Sequence, residues 1–249
     1  MVTEVRLTRL AGAEDSARLL VVGPSLGTAV SQLWQACVAE LTGFEVIGWD
    51  LPGHGGAPRA TGPFTVQDIA DAVEAQAKDL ARGRGTGYAG VSFGGAVGLE
   101  LAARDDTVFD QVVCVAAAPT IGEPRMWHER AALVRKSGTA AVVEGASRRW
   151  FAPGFAEREP DTVDALFTAL TEVDDESYAW ACEALALFKA REVVRPVHAV
   201  AGEHDVVVPA EVMAQMNSTS YWVVERSGHL PPVENPQAVA QVLAGESVG

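Results

Sequence analysis

Short apolar runs recur along the chain, and stripes of apolar residues at helical spacing fall between them. That alternation predicts an α/β fold: a mainly parallel sheet with helices covering both faces. Leu19–Gly23 reads as a buried strand that stops at Gly23-Pro24. Phe44–Trp49 is the next, ended by the turn Asp50-Leu51-Pro52-Gly53-His54-Gly55. Val112–Ala118 and Val197–Ala201 repeat the pattern, and Tyr221–Glu225 is the last strand. Val5–Leu10 alternates more loosely and predicts an edge hairpin with a neighbouring short run. Among the helices, Ser31–Leu41 lines up Leu33, Trp34, Cys37, Val38 and Leu41 on one stripe. The helix from about Val66 to Leu80 does the same with Ile69, Val73 and Leu80, and Thr65 with Asp68 has capping-box spacing. Ala96–Ala103 and Pro236–Leu243 read as two more. Thr86–Ala89 departs from the rule, being short and weakly apolar for a central strand.

From Pro119 to about Arg191 the pattern changes. The stretch is rich in Trp, Arg, Glu and Ala, keeps helical periodicity and contains no convincing strand. It predicts a helical cap (119–191) inserted into a core made of residues 1–118 and 192–249. A chain of 249 residues is long enough for one sizeable core carrying such an insertion.

Gly90-Val91-Ser92-Phe93-Gly94-Gly95 adds chemistry to this frame. A strand that turns sharply into a helix with serine at the apex matches the G-x-S-x-G nucleophile elbow. A hydroxyl is a weak nucleophile until a base takes its proton, and the base needs a carboxylate to hold its tautomer. Asp205, in Gly202-Glu203-His204-Asp205, lies just after the strand Val197–Ala201. His229, in Ser227-Gly228-His229-Leu230, lies just after Tyr221–Glu225. Loops at the carboxyl ends of strands are where an open α/β sheet places its site. Each residue has a plainer reading. Ser92 competes with an ordinary turn serine, and Asp205 competes with Glu203. His229 competes with His54, His128, His198 and His204. Of these, His198 sits inside a strand pattern as a packed core residue, His204 reads as an exposed loop residue, and His54 reads as a turn residue bonded to nearby backbone.

An acyl-transfer site also needs two backbone N–H groups aimed at the developing oxyanion, each worth ~3 kcal/mol. Phe93, after the serine, supplies one at a helix start, where the dipole favours negative charge. The loop Ser25-Leu26-Gly27-Thr28 supplies the other, assigned to Leu26. An ordinary glycine turn is the competing reading of that loop.

Composition narrows the field. With 33 acidic and 19 basic side chains the net charge is −14, which disfavours nucleic-acid binding and repels anions at long range. An anionic substrate would need local arginines, and the cap offers Arg125, Arg130, Arg135, Arg148 and Arg149. Cys37, Cys114 and Cys182 have neither disulfide nor zinc spacing. No apolar run approaches membrane-spanning length and the first residues show no signal-peptide pattern, so the expected location is the cytoplasm.

The chain resembles α/β-hydrolases and, within them, the 3-oxoadipate enol-lactonases. The core pieces are Ser25-Leu26-Gly27-Thr28, Pro52-Gly53-His54-Gly55, the elbow, Gly202-x-x-Asp205 and Gly228-His229. The cap pieces discriminate better: Trp127 and Arg130 with Val134-Arg135, Arg149-Trp150-Phe151-x-Pro153-x-Phe155, and Tyr178-Ala179-x-Ala181-Cys182-Glu183-Ala184-Leu185. Pro52, Gly56-Ala57 and Ser227-Gly228 depart from the family pattern and leave the three catalytic candidates untouched. The resemblance implies a serine carboxylic-ester hydrolase of aromatic catabolism, in the β-ketoadipate pathway. It would open a carboxylated lactone through an acyl-enzyme, with no cofactor or metal. Trp127, Arg130, Arg149 and Trp150 would line the substrate pocket, against the competing readings of solvated helix-face charges for the arginines and packing anchors for the tryptophans. The partner is a small-molecule lactone or ester, with no nucleic acid or membrane. A carboxylesterase or lactonase of other specificity, a cofactor-free haloperoxidase-like activity, or a non-catalytic receptor on the same fold are the competing readings.

Overall fold

A computed structural model describes residues 5–245. In chain order the elements are β1 (Arg6–Ala11), β2 (Arg18–Gly23), α1 (Val30–Val38), β3 (Phe44–Asp50), α2 (Val66–Ala81), β4 (Gly85–Val91), α3 (Phe93–Ala102) and β5 (Gln111–Val115). Five helices follow before the next strand: α4 (Pro124–Ser137), α5 (Val143–Ser147), α6 (Phe155–Arg158), α7 (Pro160–Thr171) and α8 (Asp175–Leu187). The chain closes with β6 (Val197–Gly202), α9 (Ala210–Met213), β7 (Ser220–Val224), α10 (Pro231–Glu234) and α11 (Pro236–Ala244).

The strands form one sheet of order β1-β3-β2-β4-β5-β6-β7. β1 runs antiparallel to β3 and every other pair is parallel. In β2, β3 and β5 nearly every consecutive residue is buried, which requires cover on both faces of the sheet. Fully burying such aliphatic side chains is worth about 1.5–3 kcal/mol each, so these strands anchor the core. Among the described residues no helix is long and apolar enough to cross a membrane.

Several expectations need correction. Val5–Leu10 forms no hairpin with its sequence neighbour: β1 pairs with β3 instead of β2, with a register shift between Arg9 and Ala11. The helix expected over Ser31–Leu41 ends at Val38, and Leu41 packs on the core from the following turn. β5 ends at Val115 rather than running on to Ala118, because Ala116 takes a positive φ of 48° that no strand can hold. The weak strand Thr86–Ala89 extends to seven residues as β4, between β2 and β5. Its bulk comes from fully buried Tyr88, whose hydroxyl donates to the Gly94 carbonyl at 2.7 Å. The small residues around Tyr88 let α3 pack against β4. Thr65 caps α2 as its spacing predicts, with Thr65 Oγ1 accepting from the Asp68 N–H at 3.1 Å and Asp68 Oδ2 accepting from the Thr65 N–H at 2.8 Å.

Candidate active site

The carboxyl ends of β4, β6 and β7 lie along one edge of the sheet and carry Ser92, Asp205 and His229 on the loops that leave them. Ser92 joins β4 to α3 with φ 53° and ψ −107°, a region non-glycine residues avoid at a cost of roughly 1–3 kcal/mol. Its N–H donates to the Val115 carbonyl at 2.9 Å and its carbonyl accepts from the Ala96 N–H at 2.9 Å, so sheet and helix hold the strained turn from both sides. Ser92 Oγ makes no protein hydrogen bond among the described residues, and none joins it to His229. The hydroxyl is therefore available to a base or to an incoming group.

Asp205 and His229 form a buried pair. His229 Nδ1 lies 2.9 Å from Asp205 Oδ2. Asp205 Oδ1 accepts the N–H groups of Val207 at 2.7 Å and Val208 at 3.0 Å. These amides fix the carboxylate, and a carboxylate acceptor assigns the ring proton to Nδ1, which leaves Nε2 its lone pair. Ser92 and His229 are each 3% exposed, so bulk water is largely kept from both. Glu203, the competing acid, is exposed and accepts the Arg226 N–H at 2.8 Å, away from the ring.

The loop before α1 meets the elbow directly. Gly94 N donates to the Pro24 carbonyl at 2.9 Å, and Thr28 closes the loop through its N–H and hydroxyl, both donating to the Ser25 carbonyl. Gly27 has φ +86° in that turn. A side chain at Gly94 has no room: a Cβ there would lie 2.8 Å from the Gly23 carbonyl carbon and 2.8 Å from the Pro24 oxygen. Neither Leu26 N–H nor Phe93 N–H finds an acceptor among the described residues. The Phe93 amide follows the serine directly and the Gly94–Pro24 bond ties the Leu26 loop to the elbow, the pair of unmet amides that an oxyanion needs.

The other histidines separate cleanly. His54 is fully buried, with Nδ1 on the Pro52 carbonyl at 2.9 Å, and burial pushes the ring down to about 4. Its ring stacks on Tyr178 at 6.1 Å between centroids. His198, expected in the core, is only half-buried and tilts against Trp222 on the neighbouring strand. The reason is its place near the sheet edge, where only β7 lies beyond β6. His204 is exposed beside Glu203, and His128 is exposed on α4.

The helices between β5 and β6 divide the five arginines into two groups. Arg125 pairs with Glu129, Arg135 with Glu176 and Glu183, and Arg148 with Glu144. Arg130 and Arg149 have no carboxylate partner among the described residues. Both are half-buried. The guanidinium of Arg130 lies over the Trp127 ring, 4.6 Å from its centroid, and its charge acts on the hydroxyl of buried Tyr178. Burial, and secondly the charge of Arg130, lower the pKa of Arg149. Tyr178 and Trp150 both reach the Ser25–Thr28 loop: a Cβ on Gly27 would lie 3.4 Å from the Tyr178 ring and 3.5 Å from Trp150. Trp127 is buried and donates from its indole to the Ile121 carbonyl, which makes it a platform for Arg130.

Sequence reasoning missed Glu234. This carboxylate accepts the N–H groups of Ala152, Gly228 and Leu230. Burial pushes it up to about 7 against the pull of those amides and of His229. Nothing in Pro231-Pro232-Val233-Glu234 distinguishes it from a solvated acid at a helix end. Tyr178 is equally illegible: nothing in Tyr178-Ala179-Trp180 shows that its hydroxyl lies under the charge of Arg130.

Residues 14–242 match the model of the alpha/beta hydrolase family. The chain is 34% identical over 227 residues to 3-oxoadipate enol-lactonase 2 of Acinetobacter baylyi, covering 88% of this chain and 84% of that protein. It is 27% identical over 242 residues to 3-oxoadipate enol-lactonase 1 of the same organism, covering 93% and 89%. The crystal structure of the enol-lactonase from Burkholderia xenovorans LB400 superposes with a TM-score of 0.87 at 26% identity, over 98% of this chain and 96% of that one. With its sheet order, its elbow and matches spanning most of both partners, the chain belongs to the alpha/beta hydrolase family and, within it, to the family of the 3-oxoadipate enol-lactonases.

Proposed function

We propose that the protein hydrolyses 3-oxoadipate enol-lactone to 3-oxoadipate, with Ser92 as nucleophile, His229 as base and Asp205 as the carboxylate that orients it. Residues 119–191 form the cap over this site. Ser92 Oγ attacks the lactone carbonyl as His229 Nε2 takes its proton. The tetrahedral oxyanion is received by the N–H groups of Leu26 and Phe93. Collapse breaks the ring C–O bond and releases an enol oxygen, a better leaving group than an alkoxide, which takes the proton back from His229. The opened chain stays attached to Ser92 as an ester. His229 then deprotonates water for the second attack, Ser92 regains its proton, and the released enol tautomerises to the 3-oxo acid. The route uses neither metal nor organic cofactor, and its partner is a small molecule rather than a nucleic acid or membrane.

The observation that carries the reading is the buried His229–Asp205 hydrogen bond, at the edge of the sheet where the strained Ser92 and the two unmet amides also sit. The unpaired Arg130 and Arg149 support a carboxylated substrate, because a half-buried cation pair without counter-ions is costly until an anion arrives. Their association with Trp127, Trp150 and Tyr178 supports an anion held on the cap side of the Ser25–Thr28 loop. The test is hydrolysis of the enol-lactone beside p-nitrophenyl esters by wild type and Ser92→Ala. Turnover of both substrates, lost in Ser92→Ala with folding intact, is expected. Binding without turnover in the wild type would sink the reading in favour of a receptor, and preference for the neutral esters would favour a carboxylesterase.

A further inference from the structure

We propose that Glu234 is a positioning residue that clasps the cap to the loop carrying His229 and so holds the base in register with the nucleophile. The inference rests on the reading of His229 as the base. Glu234 ends α10, the single turn that begins two residues after His229. Its Oε1 accepts the Ala152 N–H at 2.6 Å, and its Oε2 accepts the Gly228 N–H at 2.7 Å and the Leu230 N–H at 3.4 Å. The His229 N–H itself donates to the Trp150 carbonyl at 2.9 Å. Every amide from 228 to 230 is thus committed either to Glu234 or to the cap run Trp150–Ala152, and Glu234 bonds that run as well. The two segments touch backbone to backbone. A Cβ on Gly228 would lie 2.7 Å from the Phe151 carbonyl carbon and 2.8 Å from the Ala152 nitrogen, so only glycine fits.

A simple packing role does not account for the residue type. No cation pairs with Glu234 among the described residues. A buried carboxylate without a cation is costly. What it offers is two acceptor oxygens for two close amides from different segments, which a glutamine, with one acceptor oxygen and an NH2, cannot match. It also offers a negative charge that interacts with His229, and a nearby anion favours the imidazolium that forms when Ser92 attacks. Asp205 bonds the ring's Nδ1, and the charge of His229 acts on Glu234. From the cap, Arg148 and Arg149 flank the bonded run. α1 and α11, which pack against α10, bring no ionisable group except the buried thiol of Cys37.

Glu234→Gln and Glu234→Asp separate geometry from charge. Both full-length variants are compared with wild type on p-nitrophenyl acetate at pH 8, with circular dichroism and melting as folding controls. In Glu234→Gln, kcat should fall roughly tenfold to a hundredfold, the range a displacement near 1 Å can cost, while KM stays within about twofold. Wild type should lose rate as the Glu234 carboxyl, pushed up to about 7 by burial, takes a proton and gives up an acceptor oxygen, and Glu234→Gln should lack that step. In Glu234→Asp, kcat should fall similarly, because the shorter arm cannot span both amides, but a rate step from protonation of the carboxyl should remain. In wild type, needing no variant, the amide protons of Ala152 and Gly228 should shift together as Glu234 ionises. A Glu234→Gln enzyme with wild-type kcat and the wild-type rate profile against pH would reduce Glu234 to a structural residue whatever its melting temperature. Amide protons of 152 and 228 that do not titrate would break the clasp directly. If Ser92→Ala keeps full turnover, the parent reading fails and takes the clasp with it; if Ser92→Ala is inactive while Glu234→Gln is unaffected, only the clasp fails.

Discussion

Gly94→Ala tests the oxyanion geometry without touching any proposed catalytic side chain. The new methyl would sit 2.8 Å from both the Gly23 carbonyl carbon and the Pro24 oxygen, and ordinary contact begins at 3.4 Å. Both atoms are backbone, so the elbow and the Leu26 loop must part by about 0.6 Å, the difference between those two distances. The parting stretches the Gly94 N–H to Pro24 carbonyl bond, now 2.9 Å, which couples the Phe93 and Leu26 amides. Donors serve an oxyanion only within about 2.7–3.1 Å, so a shift of this size takes one donor out of range. Loss of one donor lowers kcat about a hundredfold to a thousandfold, roughly 3–4 kcal/mol. KM should change little, because the oxyanion exists only in the transition state. Overpacking should cost about 1–3 kcal/mol of stability. Steady-state kinetics on p-nitrophenyl acetate together with urea unfolding measure both quantities. A folded Gly94→Ala enzyme with kcat within about threefold of wild type would refute the assignment of these amides.

Arg130→Ala and Arg149→Ala should each raise KM for the carboxylated lactone by about tenfold or more, in line with roughly 1.5–3 kcal/mol for a charged hydrogen bond. KM for a neutral ester should barely move, and equal effects on both substrates would argue against carboxylate recognition. His54 makes the fold acid-sensitive: the folded ring stays neutral down to about pH 4, whereas the unfolded ring protonates near 6.5. Between those values the unfolded state binds the extra proton, so stability falls as pH drops from 6.5 to 4, by about 3 kcal/mol in total from this group. Urea unfolding across that range should show the slope in wild type and lose it in His54→Gln; identical slopes would discount the buried ring. Finally, burial pushes the thiols of Cys114 and Cys182 up to about 12 and that of Cys37 up as well. A thiol reagent should label none of the three in the native protein and all three in urea, and rapid native labelling would contradict their burial.

Much of this molecule can be read from the order of its residues alone. Strands such as Leu19–Gly23 and Phe44–Trp49 are legible because burial on both faces demands an unbroken apolar run, and the Thr65–Asp68 cap because its bonds span only three residues. The Ser92, Asp205 and His229 candidates are legible because each follows a strand at a characteristic turn. Tertiary structure alone decided the rest. β1 could not be assigned its partner, since pairing with β3 instead of β2 leaves no trace in the residues between. The five arginines from 125 to 149 look alike in sequence, and only the carboxylates brought from α8 and along the helix turns show which three are neutralised. Glu234 looks like a solvated acid until the run Trp150–Ala152 is folded against it. Local patterns record what a residue must bury. Which charge or amide it faces depends on chain dozens of residues away, and only the closed fold sets that distance.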